Sequence, residues 1–107
     1  MVYLGNAFSL QMLKNKRRVR LICDEMPAER VSAYLQSHQF KSIIGHDNTA
    51  GVLTKLLGVD VWTNRESIEL DKGDILVVAQ YSKGRIIDRE LEQVNPDDFT
   101  FWVVRIQ

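Results

Sequence analysis

Ile75-Leu76-Val77-Val78-Ala79-Gln80-Tyr81 is apolar at nearly every position and follows the turn composition Asp71-Lys72-Gly73-Asp74. A strand wetted on one face alternates apolar and polar residues, whereas this run does not, so it reads as a central strand buried on both faces. It ends in Gln80, Tyr81, Ser82, Lys83, Gly84 and Arg85. In open α/β sheets ligands gather at strand ends that change to polar groups in this way. Further on, Phe99 to Ile106 reads as a final strand with Phe99, Phe101 and Val103 on one side and Trp102, Val104 and Ile106 on the other. Both sides are apolar. Where no helix covers the second side it is expected to pack against another chain, which makes a symmetric homodimer the expectation. Asp88 to Val94, between the two strands, reads as a helical turn stopped by Asn95-Pro96.

Upstream, helices alternate with short apolar runs. Val2-Tyr3-Leu4 reads as a strand broken at Gly5-Asn6, with Asn6 as the cap of a helix from Ala7 to about Asn15 whose apolar face holds Phe8 and Met12. Lys14, Lys16, Arg17, Arg18 and Arg20 follow, either as a phosphate clamp or as a solvated turn and strand face. Val19, Leu21 and Cys23 alternate with Arg18, Arg20 and Ile22, which suits a strand with one face on the core. Asp24-Glu25-Met26-Pro27 then starts a helix, with Pro27 at its first position and Ala28, Val31 and Leu35 as its buried stripe, that runs out near an exposed His38. Gln39 to Ile44 is a short extended return. Asp47 reads as the N-cap of the next helix, which carries Val52, Leu53, Leu56 and Leu57 to a C-terminal Gly58. After Gly58 the period drops to two, and two short strands or a hairpin are expected between Val59 and Leu70. The sum is an α/β fold: residues 1–107 as one domain, a mixed β-sheet with flanking helices.

Ile43-Ile44-Gly45-His46-Asp47-Asn48-Thr49-Ala50 brings a histidine to the start of that second helix. A helix N-terminus offers unpaired N–H groups and partial positive charge to an anion, and an imidazole beside it can give a proton to a leaving oxygen near neutral pH. The same residues also suit an ordinary turn and cap. Arg65, after Asn64, is open to two readings as well, a phosphate ligand or a turn charge.

Composition narrows the partners. The 14 basic and 14 acidic residues cancel, so no broad positive field draws the chain to duplex nucleic acid or to a membrane surface, and a small discrete anion fits better than a polymer. Cys23 is the one cysteine, so no internal disulfide forms, and no signal peptide or bilayer-spanning run is read; the expected location is the cytoplasm. His38 and His46 lack metal-ligand spacing, and no metal or other cofactor is expected. Neither GxGxxG nor a Walker A sequence occurs.

Four segments together resemble the viral type III anti-CRISPR ring nucleases and their phage and bacterial relatives. They are Tyr3-Leu4-Gly5-Asn6-Ala7-Phe8-Ser9-Leu10-Gln11-Met12-Leu13, Ile44-Gly45-His46-Asp47-Asn48-Thr49, Asn64-Arg65 and Val77-Val78-Ala79-Gln80-Tyr81. The resemblance runs from Val2 to about Arg85. It implies a homodimeric α/β protein that binds a cyclic oligoadenylate, cyclic tetra-adenylate above all, and opens it without metal: a ribose 2′-OH attacks the adjacent phosphate and a histidine protonates the 5′-oxygen. By the same resemblance His46 is the general acid; Asn6, Ser9, Gln11, Asp47, Thr49 and Gln80 meet the ligand; and Arg65 and Arg85 lie on its phosphates. The family's glutamate three residues after the second arginine is replaced by Asp88, one methylene shorter, with Glu90 as the alternative. That departure leaves a second reading open, a sponge that binds the ring and does not cut it. A third is a structural or interaction dimer of a mobile element, built on the Phe99–Ile106 surface.

Overall fold

A computed structural model describes residues 1–15, 17–84 and 94–107. Arg85, Asp88 and Glu90, and the helical turn expected from Asp88, lie outside the described residues. Five strands form one mixed sheet: β1 (Val2–Gly5), β2 (Leu21–Met26), β3 (Lys41–Ser42), β4 (Ile75–Tyr81) and β5 (Phe99–Ile106), in the order β2-β5-β4-β1-β3. β4 is the middle strand. It runs parallel to β1 on one side and antiparallel to β5 on the other, while β3 is parallel to β1. The continuous apolar run therefore occupies the place that its composition requires, with Leu76 to Ala79 buried.

Two helices, α1 (Ala28–Ser37) and α2 (Asp47–Leu57), cover one face. Val31 and Leu35 of α1 and Ala50, Val52, Leu53 and Leu57 of α2 pack there on Leu4, Val77, Ala79, Phe101 and Val103. Ser32 Oγ donates to the Leu57 carbonyl at 2.5 Å, which ties the two helices together and satisfies one carbonyl at the end of α2. Gly58 closes α2 in the left-handed conformation, φ 68°, that favours glycine.

Among the described residues no helix lies on the opposite face. Leu76 and Val78 of β4 and Val104 and Ile106 of β5 are covered instead by Leu13 and Leu70, with Phe8, Met12, Val19 and Leu21 packed around them. This corrects the helix expected from Ala7 to Asn15. Ser9 caps a single 3-10 turn, Leu10–Met12, and the backbone beyond it bonds across to the 68–70 segment: Leu70 N–H donates to Met12 O at 2.6 Å and Lys14 N–H to Leu70 O at 3.0 Å. Phe8 and Met12 are part-buried within that crossing coil rather than on a helix face.

Other boundaries also move. Asp24 to Met26, expected at a helix start, belong to β2, whose pairing with β5 sets Asp24 opposite Val103 and Met26 opposite Phe101; Pro27 then takes the N-cap position. Cys23 is exposed, not on the core. The two short strands or hairpin expected between Val59 and Leu70 do not form; the stretch has two isolated bridges, Ile44 to Thr63 and Leu13 to Leu70, in place of strand pairing. Val61 and Leu70 are buried within it, so its period of two marks attachment to existing elements, not a new pair of strands.

Leu53 is fully buried between α2 and the sheet. Leu53→Ala is expected to cost about 2–5 kcal/mol, from lost burial and the cavity left behind, read as a lower urea midpoint at unchanged slope.

Candidate functional site

β1, β3 and β4 are mutually parallel, so their C-terminal ends lie together at one end of the sheet. Asn6 follows β1, the Gly45-His46 turn follows β3, and Gln80 stands one residue before the end of β4. Sequence order separates these residues; topology brings them to one end.

His46 occupies the N-cap position of α2 with extended backbone, and its carbonyl accepts the first helical bond, from Ala50 N–H at 3.0 Å. Its side chain makes no capping hydrogen bond and is exposed. Asp47 is therefore the first helical residue, and the cap falls at His46, one position earlier than expected. The cause is a competing bond, since the Asp47 carboxylate accepts from the Thr63 hydroxyl and joins α2 to the segment that carries Arg65. Arg65 Nε donates to the Gly45 carbonyl at 2.9 Å, and its stem crosses Gly45, where a Cβ would stand 3.8 Å from Arg65 Cγ. The structure thus brings His46, Asp47 and Arg65 together. Thr49 is only 3% exposed and is not presented to solvent with them.

A polar clasp holds the Arg65 segment. Ser42 Oγ donates to Trp62 O at 2.6 Å and accepts from Ile44 N–H at 3.3 Å, while Asn64 N–H donates to Ile44 O at 2.7 Å and Asn64 Nδ2 to Ser42 O at 2.8 Å. Asn64 Oδ1 also accepts from Glu66 N–H at 3.1 Å, so both polar atoms of the amide are used. Lys41 braces the far side through Glu66 at 2.8 Å; its hydrogen bond and its charge hold the Glu66 carboxyl below the ordinary 4.5. None of this network was legible beforehand, because Ser42 and Asn64 are 22 positions apart and neither lies in a pattern with a period.

On the sheet face opposite α1 and α2, Asn6 and Gln80 open onto a cavity of about 350 Å³. Phe8, Val78, Trp102 and Val104 form its walls, and Cys23 reaches it from β2. The register explains the gathering: Cys23 lies opposite Val104, and Val78 opposite Trp102. The alternation of the final strand already assigned Trp102 and Val104 to one side, but the cavity could not be found without the pairing. Ser9 and Gln11 lie elsewhere. Ser9 Oγ accepts from Gln11 N–H at 3.2 Å as the cap of its turn, and Gln11 lines a separate hollow of about 490 Å³ with Arg17 and Arg18. Among the described residues no three His, Cys, Asp or Glu side chains converge as a metal site would require, and no helix is long and apolar enough to cross a membrane.

The model of the STIV B116-like family matches residues 2–100. This chain belongs to that family. It is 32% identical over 110 residues to Uncharacterized protein 26 of Sulfolobus islandicus filamentous virus (isolate Iceland/Hveragerdi), a match covering 97% of this chain and 92% of the relative. Uncharacterized protein ORF117 of Acidianus two-tailed virus is 32% identical over 98 residues, covering 84% and 82%. Among solved structures, B116 of Sulfolobus turreted icosahedral virus superposes with a TM-score of 0.74 at 25% identity, over 97% of each chain. The family is thus found in archaeal viruses, and B116 shares this α/β fold from end to end.

Two expectations follow from the clasp. Asn64→Ala removes a part-buried bond to Ser42 O and should cost about 1–3 kcal/mol in chemical denaturation. The Glu66 carboxyl is held lower in the folded chain, so its contribution is present above the ordinary value of 4.5 and is lost as pH falls through the lower folded one. Glu66→Gln should therefore flatten the loss of melting temperature with pH on that acid side and leave the neutral-pH slope unchanged.

Proposed function

We propose that this B116-like protein binds a cyclic oligoadenylate, cyclic tetra-adenylate in the first instance, as a homodimer and opens the ring by metal-independent transesterification. This would make it an anti-CRISPR ring nuclease acting in the cytoplasm of the infected cell. The observation that carries the reading is the pairing of His46 and Arg65: an imidazole at the start of α2 that is not spent on capping, beside an arginine anchored through Nε to the Gly45 carbonyl. Anion, proton donor and helix N-terminus then meet at one point.

In the step proposed, the ribose 2′-oxygen attacks its adjacent phosphorus and loses its proton to solvent water, the bond from phosphorus to the 5′-oxygen breaks, and His46 in its protonated form donates to that oxygen. The products are a linear oligonucleotide with a 2′,3′-cyclic phosphate at one end and a 5′-hydroxyl at the other. Arg65 and Arg85 balance charge on the phosphates, while Asn6 and Gln80 hold ribose or base. Asp88 orients the attacking hydroxyl. A ligand with two-fold symmetry fits a symmetric dimer, because each copy meets an equivalent part of the ring.

The second reading, a sponge that binds the ring intact, is favoured by one feature: the carboxylate at position 88 is an aspartate, shorter than the glutamate of the resembled nucleases. General acid–base assistance is worth roughly 10²–10⁴-fold, so a carboxylate out of reach would lower turnover steeply while binding survives.

Single-turnover incubation of excess protein with labelled cyclic tetra-adenylate in EDTA separates the two. Linear product ending in a cyclic phosphate is the expected outcome; ring recovered intact from the protein means a sponge, and ring that never binds overturns both. His46→Ala should lower the rate by roughly 10²-fold or more with binding nearly unchanged. Full activity in that variant would falsify the general-acid role.

A further inference from the structure

Two carboxylates belong to the His46 turn and the Arg65 segment, and Arg65 pairs with neither. Asp47 opens α2 next to His46, and Glu66 follows Arg65 directly in the chain. Among the described residues the Arg65 guanidinium makes one bond, from Nε to the Gly45 carbonyl at 2.9 Å, and no ion pair. Its two terminal nitrogens keep their N–H donors, and the side chain is exposed. A loose carboxylate beside a guanidinium takes the same fork that a phosphate takes, because each presents two oxygens to two parallel N–H groups.

Both carboxylates are held by other groups instead. Asp47 accepts from the Thr63 hydroxyl, and Glu66 is paired with Lys41 of β3 at 2.8 Å. Neither bond removes a negative charge; each fixes where that charge stands. The backbone explains why Thr63 reaches the helix start. Ile44 and Thr63 form a parallel bridge, Asn64 N–H donates to Ile44 O at 2.7 Å, and Asp47 lies three residues beyond Ile44. We propose that Thr63 and Lys41 are positioning residues of this site: by holding Asp47 and Glu66 they keep the Arg65 fork open for a phosphate of the ligand. The proposal rests on the cyclic oligoadenylate reading above and adds two residues that touch neither the ring nor its reacting atoms. It also gives Asp47 a different part from the ligand contact that the resemblance implies, that of a charge kept aside.

Affinity for labelled cyclic tetra-adenylate, read by fluorescence anisotropy in the His46→Ala background that keeps the ring whole, provides the test. Thr63→Val keeps the branched shape and removes the hydroxyl, and Lys41→Gln removes the ammonium. Each is expected to weaken binding about three- to five-fold, the scale of one exposed ion pair formed in competition with the ligand, and the two together about ten-fold or more. Thr63→Ser keeps the hydroxyl and should bind like the parent. Second substitutions separate positioning from folding. Asp47→Asn added to Thr63→Val, and Glu66→Gln added to Lys41→Gln, should each restore the parent affinity, because a neutral amide competes poorly with a charged phosphate for a guanidinium. Lost binding that neither neutralising substitution restores means that Thr63 and Lys41 only hold the fold, and overturns the inference. Equal affinity in the parent and both single variants overturns it too, and leaves the cyclic oligoadenylate reading standing. A ring that the parent never binds removes that reading and this inference together.

Discussion

β4 can stay in place only while both of its faces are kept from water. Its run from Leu76 to Ala79 is buried on both sides, so each layer of the molecule is in effect a cover for that strand. One cover is made by α1 and α2, and the other by coil that crosses under the sheet and bonds to the 68–70 segment. β1 and β5 flank the strand with opposite directions, and that asymmetry fixes the rest. The parallel neighbours deliver their C-terminal ends to one place, and the antiparallel neighbour starts from there. A short parallel group beside an antiparallel pair thus gathers the C-terminal ends of β1, β3 and β4 and the start of β5 at one end of the sheet.

At that end the two faces differ in charge. The helix-bearing face has the start of α2, His46 and Arg65; the other has an uncharged aromatic hollow with two carboxamides at its mouth. Positioning on the first face is achieved by backbone-directed bonds. Asn64, Ser42 and Gly45 hold the Arg65 segment to the turn after β3, and the Asp47–Thr63 contact fastens it to the helix. An arginine attached through Nε to a carbonyl loses much of its rotamer freedom before any ligand arrives, which lowers the entropic cost of later contacts.

Composition and period made the central strand, the last strand, both long helices and the mixed α/β class legible. Ile75–Tyr81 and Phe99–Ile106 carry their burial in their side chains, so the reading needs no knowledge of neighbours. Elements whose shape is decided by distant partners were misread. Phe8 and Met12 have helical spacing, yet the carbonyl of Met12 is taken by Leu70, and a local pattern has no means of announcing a bond across 58 positions. Val59 to Leu70 shows a strand-like period for the same reason. The site divides along this line: His46 and Gln80 stand at ends of legible elements, whereas Trp102 and Cys23 reach the cavity only through the register of β2, β4 and β5.

The terminal amine of Met1 is paired with Asp74, 73 positions away, and β2 finds its partner only in the last strand. Loops of that length close at an entropic cost before any contact repays it, and folds dominated by such contacts are slow to form. During synthesis β1 leaves the ribosome long before β4 exists, and β2 waits for the final residues. The sheet therefore cannot be assembled stepwise from its N-terminus. The sheet is complete only once β5 has been made, because any fragment that ends before it lacks the partner of β2.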